Sequence, residues 1–118
     1  MRKVVFTLIC SCILINVLGQ TDSSLIYLRF PTVPAFTIIK VPDSTNFTRA
    51  NLAKKKPVVF FFFNPDCDHC HQETKNLTAK MDQLKDAQIL MISILDFNAI
   101  KKFYTDLKIA DYPNITMA

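Results

Sequence analysis

Residues 57–73 read PVVFFFFNPDCDHCHQE, and the way this stretch folds governs how the rest of the chain is read. Val58 to Phe63 is apolar without alternation, the pattern of a strand covered on both faces at the centre of a parallel sheet. Asn64-Pro65-Asp66 breaks that run, and Asp66 is placed to cap a helix that begins around Cys67. From there Cys70, Leu77, Met81 and Leu84 recur at helical spacing and mark one apolar face. A core strand thus runs straight into a helix, with two cysteines at the junction.

Downstream, Gln88 to Leu95 (QILMISIL) predicts a second buried strand. Phe97, Ile100, Phe103, Tyr104 and Leu107 predict a second amphipathic helix. Strand, helix, strand, helix with short connections is the grammar of an α/β fold with a largely parallel sheet. Upstream, Pro34 to Pro42 (PAFTIIKVP) reads as a first strand bounded by prolines. Asp43 to Thr48 reads as a connector, with Thr48 capping a short helical turn through Leu52. Asp111 to Ala118 ends the sequence with no predicted element of its own.

The chain has 118 residues, half of them apolar, which suits one modest domain. Its start, MRKVVFTLICSCILINVLGQ, has two basic residues, an apolar run from Val4 to Leu18 and a small-residue site before Gln20. That is the pattern of a secretory signal peptide over residues 1–19. The apolar run is short of the roughly 20 residues that a bilayer span needs. An uncleaved membrane tether and a lipoprotein signal ending at Cys12 are the competing readings. After cleavage no stable membrane insertion is expected; residues 20–33 form a lead-in segment and 34–118 the domain.

Cleavage removes Cys10, Cys12, the only glycine and two basic residues. The small basic excess that remains calls for no nucleic-acid partner, and Lys54-Lys55-Lys56 reads as a solvated turn. Without glycine, the Gly-rich phosphate loops of nucleotide enzymes are excluded.

In Cys67-Asp-His-Cys70 one thiol lies at the helix start and the other one turn later, within bridging reach. Unpaired N–H groups and the positive end of the helix dipole stabilise a thiolate there, lowering a cysteine pKa from about 8.5 to as little as roughly 3.5 in such motifs. Cys67 is expected to be the exposed nucleophile and Cys70, on the apolar face, the resolving thiol. His69 can act as a cation beside the thiolate, whereas Asp66 and Asp68 are anions that oppose it. A structural disulfide is the plain alternative, but so short a loop constrains the unfolded chain little. Zinc needs four ligands, and Cys67, His69, Cys70 and His71 cannot all converge from one short stretch, so no metal is expected.

Covalent haem competes, because Cys67-x-x-Cys70-His71 is also the c-type attachment pattern. His71 would then be an axial ligand, with Met91 or Met117 on the far side. The strand that leads into the motif argues against the small all-helical domains where that pattern belongs. His71 is accordingly expected to face solvent, and the cysteine pair itself is the only redox group expected.

These residues resemble the thioredoxin-like proteins of TlpA/ResA type, including exported redoxins of Bacteroidetes type. The likeness runs from Pro34-Ala-Phe-Thr-Ile38 through Asp43-Ser-Thr-x-Phe47-Thr-x-x-Asn-Leu52 and the strand–cysteine stretch to Tyr112-Pro-Asn-Ile115. It implies a thioredoxin-like three-layer α/β sandwich. It also implies a periplasmic thiol–disulfide oxidoreductase acting on protein thiols or disulfides with a redox partner. Glu73 matches the family glutamate three residues after the second cysteine and would relay protons; the thioredoxin carboxylate of the strand is replaced by Phe61. The family's further strand after a cis-proline, its closing hairpin and its last helix are not seen, and Pro113 comes too early to be that proline. An incomplete domain is therefore expected. A redox-inert thioredoxin-like module and a peroxiredoxin-like peroxidase are the alternatives to the oxidoreductase.

Overall fold

Two strand–helix units form where the apolar periodicity places them, in a computed structural model that describes residues 32–118. The signal-peptide reading of 1–19 and nearly all of the lead-in segment lie outside the described residues. Pro34–Ala118 forms one compact unit.

A short hairpin comes first. Strand β1 (Thr37–Ile39) pairs antiparallel with β2 (Asn46–Thr48), Ile38 opposite Phe47. Asp43 closes the turn by accepting from the Thr45 N–H (3.2 Å) and hydroxyl (2.9 Å), an aspartate bonding two residues on. The first strand is thus shorter than predicted, and half of the predicted connector is strand. A 3₁₀ turn, Arg49–Asn51, comes next, where Asn51 Oδ1 accepts from the Thr48 backbone N–H at 2.8 Å.

Strands β3 (Val58–Phe62), β4 (Gln88–Ile92) and β5 (Ile115–Met117) form a parallel sheet in the order β3-β4-β5. Helices α1 (Asp68–Ala79) and α2 (Met81–Leu84) link β3 to β4; α3 (Phe97–Asp106) and a 3₁₀ turn, Ile109–Asp111, link β4 to β5. The predicted single helix breaks at Lys80, whose N–H bonds the Leu77 and Thr78 carbonyls in a tightened last turn. Asp96 caps α3 by accepting from Asn98 N–H at 2.9 Å and Ala99 N–H at 3.0 Å. Lys108, just past α3, holds φ 51° where helices usually place glycine.

Side chains alternate across the sheet. Phe63, Ile89, Met91, Ile115 and Met117 share one core with Ile100 and Phe103 of α3; Cys70 and Leu77 of α1 and Met81 and Leu84 of α2 pack against it. The other face is covered more thinly: Phe36, stacked on Phe47, meets Phe60 edge-on at 6.1 Å. Phe62, farther along, is 73% exposed.

Three expectations are corrected. The apolar strand is not central: among the described residues β3 is an edge of the sheet and β4 lies between two neighbours. The second strand stops at Ile92, and Ile94 is almost wholly exposed, because the chain turns there toward α3. Residues 115–117 do not hang free. Ile115 and Met117 are buried, and the Ala118 N–H bonds the Met91 carbonyl at 2.9 Å. Among the described residues only Val41–Pro42 is cis, so Pro113 follows a trans bond.

Candidate functional site: the Cys67–Cys70 helix start

The junction between β3 and α1 is built from the loop upward. Asn64 Oδ1 accepts from the Asp66 N–H at 2.8 Å, and the Asn64 carbonyl accepts from the Cys67 N–H at 3.2 Å. This asparagine turn, set before a proline with fixed φ, holds residues 64–67 in place and delays the helix. Asp66 therefore does not cap α1: Cys67 occupies the cap position and Asp68 the first helical one. The Asp66 carboxylate is left exposed.

Cys67 and Cys70 are both free thiols and both half-buried, so Cys67 is less exposed than predicted. Cys67 makes no side-chain cap bond. The Cys70 backbone N–H is the largest influence holding the Cys67 pKa below the ordinary thiol value, followed by the Cys70 thiol. Partial burial pushes the other way, the His69 backbone N–H lowers it further and the Asp68 carboxylate raises it. Cys67 stands at the position that Ser or Asp fills at other helix starts. His69 acts through its backbone; its imidazole is exposed. Asp68 opposes the thiolate as the sequence implies.

Glu73, half-buried one turn beyond Cys70, accepts from the Asn76 side chain at 3.3 Å. Thr74 is fully buried and donates to the Cys70 carbonyl at 2.8 Å. Sequence reasoning passed over this threonine, although a lone hydroxyl on an apolar helix face is the signal for such back-bonding.

His71 departs most from expectation. It is half-buried, its Nε2 lies 2.8 Å from the Pro65 carbonyl, and its ring packs 4.5 Å from Phe103. The nitrogen that the haem pattern would assign to iron is engaged in the fold. Met91 and Met117, the far-side candidates, are core residues at 0% and 1% exposure. Among the described residues no group of three or more metal-ligating side chains converges, and no helix is long and apolar enough to cross a membrane.

Comparison with known proteins places these features in context. Residues 32–116 match the AhpC/TSA family. No curated protein matches significantly. The solution structure of a Neisseria meningitidis protein described as a thioredoxin is similar, with a TM-score of 0.50 and 22% identity over 71% of this chain. This chain spans 55% of that protein, and the likeness is one of fold.

Proposed function

From the premise that the chain belongs to the AhpC/TSA family and has a thioredoxin-like fold, we propose that it is a thiol–disulfide oxidoreductase working through Cys67 and Cys70. The observation that carries this reading is the pair of free thiols at the start of α1, Cys67 at the cap and Cys70 one helical turn on, where the neighbouring N–H groups favour a lowered Cys67 pKa.

The chemistry is that of the pair. The Cys67 thiolate attacks one sulfur of a substrate disulfide; that S–S bond breaks and the departing sulfur leaves as a thiolate that takes a proton from solvent. Cys70 then loses its proton and attacks the Cys67 sulfur of the mixed disulfide. The second substrate thiol departs, and a Cys67–Cys70 disulfide remains. Two electrons have passed to the substrate, and a partner dithiol returns them in a later exchange. Glu73 is the side chain proposed to accept the Cys70 proton. Asp68 tempers the thiolate, and Asp66 and His69 set the charge of the surface where the substrate arrives. No cofactor beyond the cysteine pair is needed.

The finer assignments rest on sequence. The signal-like start of the chain supports an exported, periplasmic setting, membrane-tethered if that start is retained. The motifs between Pro34 and Ile115 support the TlpA/ResA subtype. Protein thiols and disulfides are the proposed substrates. The AhpC/TSA match also favours a second reading, a peroxidase. There Cys67 attacks a peroxide oxygen, the O–O bond breaks with release of water or alcohol, and Cys70 condenses with the sulfenic acid to expel water.

The test is mixed-disulfide trapping. Cys70→Ser removes the resolving thiol and is expected to leave protein partners covalently held on Cys67, released by reductant. Cys67→Ser is expected to trap almost none. Equal trapping by both variants overturns the assigned roles, and trapping by neither in a folded protein favours the redox-inert module. Insulin-disulfide reduction against peroxide consumption separates the two enzymatic readings.

A further inference from the structure

The C-x-x-C-H pattern leaves one residue without a part in that chemistry, and the structure supplies one. Pro65 is buried, and its carbonyl lies upstream of α1, beyond reach of any intrahelical N–H. Buried carbonyls need a donor. The donor is His71, four positions past the cap residue Cys67, whose Nε2 reaches back to that carbonyl at 2.8 Å. This is a polar counterpart of the hydrophobic staple that fixes the entry angle of a chain into a helix. The ring is held in turn by Phe103 at 4.5 Å, and Phe103 packs on Phe63 at 4.7 Å. One imidazole therefore ties together the end of β3, the cysteine turn and α3.

We propose that His71 is a positioning residue for Cys67. By donating Nε2–H to the Pro65 carbonyl it fixes the Asn64–Cys67 turn and so holds the Cys67 sulfur in register with the Cys70 and His69 N–H groups. Neutral and cationic imidazole can both donate from Nε2, so the tie does not depend on the charge of the ring. The charged groups that line one cavity with His71 are Asp66 on the turn and the ion-paired Lys102 and Asp106 of α3, and Asp68 and Lys75 flank it along α1.

The inference rests on Cys67 being the attacking thiolate, and it is tested on the sulfur directly. Thiolate absorbance and the rate of iodoacetamide alkylation are read against pH in the full chain carrying Cys70→Ser, so that Cys67 is the reporter within the motif. His71→Phe keeps a ring against Phe103 and loses the donor; it is expected to raise the Cys67 pKa by about one unit and slow alkylation about tenfold below that pKa. His71→Gln restores an N–H donor of similar reach and is expected to stay within about twofold of the parent. If H71F does not fold, His71→Asn, whose amide falls short of the carbonyl, takes its place. Alkylation of the donor-less variant at the parental rate overturns the proposal, as does equal slowing in H71Q. A parent protein that reduces no disulfide, yet shows the H71F and H71Q difference, would fault the proposed activity and leave the positioning role standing.

Discussion

Strands β3 and β4 are neighbours of equal length and similar apolar character, yet they differ sharply in what they bury. Ile89, Leu90 and Met91 of β4 are exposed by 0%, 1% and 0%, whereas Val59, Phe60 and Phe62 of β3 are exposed by 40%, 37% and 73%. The reason is their partners. β4 has a strand on either side and helices over Ile89 and Met91. Among the described residues β3 has a strand on one side, and Phe36 leans on its hairpin-side face through Phe60. An apolar run therefore reports what a strand is able to bury, while the elements around it decide what it does bury.

The largest expected effect contrasts the two environments directly. Phe103→Ala empties a core site that touches both Phe63 and His71, and it should cost about 3–5 kcal/mol in denaturant unfolding. Phe62→Ala removes a ring already in water and should stay within about 0.5 kcal/mol. Comparable losses from both substitutions would show that the hairpin-side face is buried in solution.

A second experiment sharpens the contrast without relying on stability. An edge strand carrying exposed aromatic residues is a docking template for other chains. Phe62→Lys should lower the binding of a hydrophobic dye and the tendency to aggregate, with the melting temperature nearly unchanged. Dye binding that persists at the parental level would place the exposed apolar surface elsewhere, with Ile94 and Leu95 the next residues to replace.

The same contrast explains what was legible in the sequence. Apolar patterning located α3, the core face of α1 and the strand that begins at Gln88, although it carried that strand on to Leu95, because each of these elements buries one apolar face or run that the local sequence spells out. The strand–helix junction with two cysteines was legible too, since Asn-Pro is a local breaker and C-x-x-C is a local motif. Three features were not. The edge position of β3 depends on which strands lie beside it, which a run of phenylalanines cannot encode. The short third strand, Ile115–Met117, has too few residues to show alternation. The inward turn of His71 depends on Phe103, more than thirty positions away, and on the carbonyl of Pro65, two residues before the helix cap, which no local pattern marks.

The smallest expected effect lies in the thin cover itself, and pH can separate it from the core. Asp43 closes the β1–β2 turn, and the Thr45 N–H, then the Thr45 hydroxyl, hold its carboxyl below the ordinary carboxylate value; burial opposes them, and the Lys40 ammonium adds a lesser lowering. A carboxylate whose pKa is depressed by folding contributes stability that is complete above its unfolded pKa and lost as pH falls through the folded one. The hairpin should therefore loosen only in acid, below the usual carboxylate range. Because the site is exposed the effect should be modest and weakened by salt. In NMR spectra collected from neutral to acid pH, the Thr45 amide should shift and lose exchange protection through that window, together with ring-current shifts at Phe36 and Phe60. Core reporters such as Met91 should not change with them. Asp43→Asn keeps an acceptor oxygen but cannot titrate, so the acid step at Thr45 should disappear from it. An unchanged acid step in that variant would assign the loosening to another carboxylate, and a simultaneous change at Met91 would mean that hairpin and core open as one unit, removing the distinction between the two faces.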